Sequence, residues 1–174
     1  MDIDKLVDEV IPPSDYKHRN GFNNIPIIEG LTESEKRLLE NVLVEKLTLE
    51  TDKEIDTLIV ETLAYLKSAA SLPILKRLLA NYSDEMIKLK IATSIFEINQ
   101  DSEMIDIAIN CVKQLEDKTN AYYVYTLSSA FHYLIKFKNP KVNSIIEEYT
   151  NHKEYLVSYN AKQVLGGNAS DLAL

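Results

Sequence analysis

The chain has 174 residues, a length that fits one domain able to bury its own core. An apolar share of 45% and a charged share of 26% are those of an ordinary soluble globular protein. A net charge of −8 with a pI near 4.9 argues against a nucleic-acid partner, because such binders present a basic stripe to the phosphate backbone.

The first predicted element is a short helix. Ile3, Leu6, Val7, Val10 and Ile11 share one face at helical spacing, and Pro12-Pro13 ends it. Ser14 to Gly30 reads as extended or looped, with Ile25, Ile27 and Ile28 lying against the body. Thr32 and Glu35 form a capping box that starts the second helix, whose stripe is Leu38, Leu39, Val42, Leu43 and Leu47. Thr51 and Glu54 repeat the box for "DKEIDTLIVETLAYLKS". Ser71 and Pro73 open a further helix, with the proline in the first turn. Ser83 with Asp84 and Glu85, Asp101-Ser102-Glu103, and Asn139-Pro140 open others. Gly166-Gly167 closes the last as a C-terminal glycine stop. Between Leu31 and Leu165 there is no glycine and only Pro73 and Pro140, too few turn residues for a β-fold of that length. The chain is therefore all-α, divided into an N-terminal segment 1–30 that packs on the body, a helical body 31–167 and a tail 168–174.

The helices repeat. A shift of 32 residues lays Ile59, Val60, Leu63 and Leu66 on Ile91, Ala92, Ile95 and Ile98. A further shift of 36 lays those on Leu127, Ser128, Phe131 and Leu134. Leu72, Leu75 and Leu79 match Met104, Ile107 and Cys111, and then Val142, Ile145 and Tyr149 with two extra residues in the turn. A partial copy follows, with Ala161 and Val164 on Ala92 and Ile95. A two-helix hydrophobic pattern returning every 32 to 38 residues is the mark of an α-solenoid.

The segments "DEMIKLKIATSIFEINQDSEMIDIAI" and "DKEIDTLIVETLAYLKSAASLPILKRLL" resemble HEAT or HEAT-like repeats. Ala92, Ile95 and Ile98 follow the small–aliphatic–aliphatic spacing of such repeats; Val60 departs from it by not being small. The resemblance spans about Leu31 to Leu165 and implies a short right-handed α–α superhelix of about four helix pairs. Such repeats serve many tasks, so the resemblance does not fix one.

Few residues invite chemistry. His18, His132 and His152 stand at no metal-ligand spacing to one another or to Cys111, so no metal and no cofactor are expected. His132 reads as a partly buried helix residue. Cys111, the single cysteine, falls on a core position; one cysteine permits no internal disulfide and fits a reducing, cytoplasmic setting. The acidic N-terminus is unlike a secretory signal, and no apolar run is long enough for a membrane span. The acidic clusters at 52–56, 84–85 and 101–106 stand at helix starts, where they complement the macrodipole.

The tyrosine-rich stretch "NAYYVYTLSSAFHYLIK" lies in the nearly neutral part: residues 119–174 carry 4 acidic and 5 basic side chains. On a helix, Tyr123, Val124, Leu127, Ala130, Phe131, Leu134 and Ile135 face the core, leaving Tyr122, Tyr125, Ser129 and Tyr133 opposite. Two placements of Tyr122 and Tyr125 are open: a free surface, or packing on the last helix through Tyr155 and Tyr159. The HEAT-like resemblance implies a concave face that carries Tyr122, Tyr125, Ser129 and Tyr133 beside Glu61, Tyr65, Lys88 and Glu97. The function expected is that of a non-enzymatic protein-binding module, an adaptor or an immunity-type protein, monomeric or weakly dimeric. The alternatives are a lyase-like enzyme subunit acting on a partner protein or small molecule, and a self-associating structural piece.

Overall fold

A computed structural model describes residues 2–12, 22–49 and 56–167. Ten α-helices and three short 3-10 turns make up the described residues, with no strand among them. The first is α1 (Ile3–Val10), capped by Asp2, whose carboxylate accepts from the amides of Asp4 at 3.2 Å and Lys5 at 3.4 Å. It buries Leu6, Val7 and Val10 against the next two helices.

Where the sequence predicts only loop before Gly30, the structure has a short helix, α2 (Ile25–Glu29). Asn23 accepts from the Ile25 amide at 3.0 Å, and Pro26 presets the first turn. The buried Asn24 pins this segment down: its amide nitrogen donates to the Val10 carbonyl at 3.1 Å and to the Thr62 hydroxyl at 2.8 Å.

In α3 (Glu33–Leu49) the expected capping box forms, with the Thr32 amide donating to Glu35 Oε2 at 2.8 Å and the Glu35 amide to Thr32 Oγ1 at 3.3 Å. Its stripe is narrower than predicted. Leu39, Leu43 and Leu47, four residues apart, are fully buried, whereas Leu38 is 43% exposed because it falls a hundred degrees around the helix. The next helix, α4 (Thr57–Tyr65), starts later than the sequence reading has it. Asp56 caps it by accepting from the Leu58 amide at 3.1 Å. The predicted box at Thr51 and Glu54, like the tail 168–174, lies outside the described residues.

Then follow α5 (Leu72–Asn81), α6 (Glu85–Asn99), α7 (Glu103–Gln114), α8 (Tyr123–Leu134), α9 (Pro140–Glu148) and α10 (Tyr155–Gly166). Their starts use the residues expected or a neighbour: Pro73 sits in the first turn of α5, Asp84 caps α6 through the Ile87 amide at 2.9 Å, and Asn139 caps α9 through the Lys141 amide at 2.9 Å. The ends differ from expectation. Gly167 at the close of α10 has φ −70 and is not left-handed. The left-handed residues are instead Lys67 (φ 55), Gln100 (φ 59) and Lys138 (φ 46), which follow α4, α6 and the turn after α8. Three corresponding helices thus stop in the same way without glycine.

Packing alternates along the chain. The helices α4, α6, α8 and α10 lie against one another in that order. Beside this row, α5 packs on α6, α7 on α6 and α8, and α9 on α7 and α10, while α3 and α1 continue from α4 toward the N-terminus. One hydrophobic core runs through, from Leu43 and Leu63 to Ile95, Phe131 and Val157. The residues matched by the 32- and 36-residue shifts take matching environments: Ile59, Val60 and Leu63, Ile91, Ala92 and Ile95, and Leu127, Ser128 and Phe131 are all buried. Two buried hydroxyls in this row donate within their own helices, Thr93 to the Leu89 carbonyl at 2.8 Å and Ser128 to the Val124 carbonyl at 2.7 Å.

Candidate functional site

Helix α8 begins where Asn120 accepts from the Tyr122 amide at 2.9 Å. Its apolar period then sends Leu127, Ala130, Phe131 and Leu134 inward. Tyr122 and Tyr125 are left 71% and 64% exposed, and Ser129 is exposed beyond them. Of the two placements open from sequence, the surface one holds. The expected partners in the packed alternative are themselves on the surface: Tyr155 is 77% and Tyr159 46% exposed, their rings stacked with centroids 5.7 Å apart. Tyr123 is half-buried and donates to Glu154 Oε1 at 3.5 Å. That contact joins the N-terminal ends of α8 and α10, and each of these two adjacent helices carries two solvent-facing tyrosines near that end.

A second group links three helices of the row. Tyr133 on α8 donates its hydroxyl to Glu61 Oε1 on α4 at 3.0 Å. Lys90 on α6 stands 3.3 Å from the same carboxylate and 5.2 Å above the Tyr133 ring, a cation–π contact. Lys136 lies 5.7 Å from that ring and 3.4 Å from Glu97 Oε1 on α6. Burial, and after it the charge and hydrogen bond of Glu61, push the Tyr133 phenol far above its ordinary pKa. Tyr133 and Lys90 thus occupy Glu61, Lys136 occupies Glu97, and Tyr133 acts as a strut where the sequence reading has an open contact.

The remaining predicted residues lie apart from these groups. Tyr65 is partly exposed and donates to Glu29 Oε1 at 2.8 Å, a hydrogen bond that raises its pKa and ties α4 to α2. Lys88 faces another way altogether. It pairs with Glu85 at 2.8 Å and lines a groove of about 590 Å³ between α5 and α7, with Leu79, Met104, Ile107 and Cys111. Cys111 is buried as expected, and burial followed by the nearby Glu85 carboxylate pushes its thiol up to about 12, which leaves no thiolate near neutrality. His132 is exposed, not partly buried, because Phe131 and Leu134 take the inward positions beside it. Among the described residues no group of three or more His, Cys, Asp or Glu side chains could hold a metal ion, and no helix is long and apolar enough to cross a membrane.

Sequence reasoning missed Lys90 and Lys136 as partners and took Tyr155 and Tyr159 only as packing. The signals were present. Lys90 precedes Glu97 by two helical turns, and the offset that lays Ser128 on Ala161 lays Tyr122 on Tyr155. No family model, curated protein or solved structure matches the chain.

Proposed function

We propose that the chain is a non-enzymatic protein-binding module that holds another protein on the tyrosines of α8 and α10. The observation that carries this reading is the exposure of Tyr122, Tyr125, Tyr155 and Tyr159 at one end of adjacent helices. Tyrosine offers wide contact, a polar tip and few rotamers to freeze, which is why it is enriched at interfaces. At about 150–250 Å² for a fully covered ring and an exposure averaging about two-thirds, these four would contribute roughly 500 Å², a large part of the ~800 Å² each partner gives to a stable interface. The near-neutral charge of residues 119–174 in an otherwise acidic chain limits the desolvation cost there.

In this reading the helices form a right-handed superhelix of HEAT-like pairs, and the tyrosines belong to its concave side. The alternate packing of α4, α6, α8 and α10 and the matched burial of the shifted copies support that geometry. Either an adaptor's client or a toxin neutralised by an immunity-type protein fits such a face. The test is affinity capture with wild type and with the Tyr122, Tyr125, Tyr155 and Tyr159→Ser variant, followed by reconstitution from purified components. The reading predicts a partner lost by at least tenfold in the variant; capture indifferent to the four substitutions would overturn it.

A further inference from the structure

We propose that His152 is a proton-operated latch on the first turn of α10. The Glu154 amide donates to His152 Nδ1 at 3.1 Å, and the imidazole Nε2 lies 3.6 Å from Glu116 Oε1. The side chain is only 11% exposed. An amide can donate to Nδ1 only when that nitrogen carries a lone pair, which places the imidazole proton on Nε2, facing the Glu116 carboxylate. A second proton would set an N–H on Nδ1 against the N–H of Glu154. The imidazolium keeps Glu116 and loses the α10 turn.

The rest of the chain supplies the internal comparison. Among the described residues an amide two residues on is taken by a side-chain oxygen at Asp2, Asn23, Asp56, Asn99, Asp101, Asp117, Asn120 and Asn139. Amide acceptors never titrate and carboxylates titrate in acid, whereas an imidazole changes charge between about pH 5 and 8. At this turn alone among those nine the acceptor is an imidazole nitrogen. Glu154, the N-cap of α10, makes no side-chain cap hydrogen bond of its own.

The charged and titratable groups around the imidazole come from each neighbouring element. Glu116 approaches from the link between α7 and α8, with Lys118 3.5 Å from its carboxylate. Tyr149, from the turn after α9, stands 6.2 Å away ring to ring and donates to Glu116 Oε2 at 3.4 Å. Glu154 carries Lys153 at 3.9 Å and the Tyr123 hydroxyl of α8. Glu116 faces Nε2, the nitrogen that carries a proton in either state, so a second proton does not expel the ring; it releases the Glu154 amide and loosens the turn that presents Tyr155 and Tyr159. The consequence for a partner rests on the function proposed above, while the latch itself does not.

The experiment uses the full chain with no partner present, so its failure leaves the docking reading untouched. Amide exchange at Glu154 is followed by NMR at pH 7.5 and 5.5 in wild type, His152→Asn and His152→Ala. Asparagine keeps an acceptor for the amide and cannot titrate. The expected result is protection at Glu154 falling about three- to tenfold in wild type on acidification, the loss of one hydrogen bond, relative to an unchanged ratio in His152→Asn. His152→Ala is expected to lack the protection at both pH values. Wild-type protection that persists at pH 5.5 would overturn the latch, as would an equal loss in His152→Asn, which would assign the proton to Glu116 or Glu154.

Discussion

Phe131→Ala and Tyr125→Ala, two truncations six residues apart on α8, should differ about tenfold in cost. Phe131 is fully buried, and its ring lies 5.2 Å from that of Tyr149. Removing a buried phenylalanine costs ~3–5 kcal/mol, counting both lost transfer energy and the cavity left behind. The aromatic pair adds about 0.5–1.5 kcal/mol beyond area, so the upper part of that range is expected. For a chain of this size 1 kcal/mol moves the melting temperature by roughly 2–4 °C, giving a fall of roughly 10–15 °C. Tyr125 is 64% exposed, and its truncation should stay within about 0.5 kcal/mol, a shift of roughly 2 °C at most. Denaturant and thermal unfolding followed by helical circular dichroism measure both. Equal losses, or a larger one at Tyr125, would refute the assignment of the two faces of α8.

Asp101 accepts from Lys76 at 2.8 Å, and that hydrogen bond holds its carboxyl below the ordinary range. A lowered folded-state pKa contributes stability that is complete above about pH 5 and is lost as pH falls through about 4 toward the depressed value. Asp101→Asn keeps the acceptor for the Glu103 amide but not the charge, so its denaturation midpoint should fall below wild type at pH 7 and the gap should narrow as pH falls below about 4; a gap that widens in acid would contradict the sign. Lys138→Gly should raise stability by roughly 0.5–1 kcal/mol, since a left-handed lysine costs ~1–2 kcal/mol and glycine's extra unfolded-state freedom returns about half of that. A destabilised variant in the same unfolding assay would mean that the φ of 46 is not strained.

The helical body was legible because its signals are local and periodic. Capping chemistry at Thr32–Glu35 and Asn139 and the apolar offsets from Ile59 to Phe131 follow from backbone hydrogen-bond needs and the 3.6-residue turn. Helix α2 was not legible, since five residues around a proline carry no period, and what holds them is Asn24 reaching Val10 and Thr62, far away in sequence. The helix stops were misread for a related reason: lysine and glutamine take the left-handed positions that glycine usually marks. At the candidate site, the outward direction of Tyr122 and Tyr125 followed from the core period. The withdrawal of Tyr133 did not, because it depends on a carboxylate two helices away at Glu61. Lys88 stands apart from that group because its position around α6 turns it to the groove between α5 and α7, beside Glu85 and Cys111.

The most direct measurement of the docking face is site-specific photo-crosslinking in cells that make the chain, with the reactive side chain placed in turn at Tyr125, Tyr159 and the exposed Arg77 on α5. The account predicts one discrete protein adduct shared by Tyr125 and Tyr159 and absent at Arg77. No adduct at either tyrosine position, or the same adduct from Arg77, would contradict it.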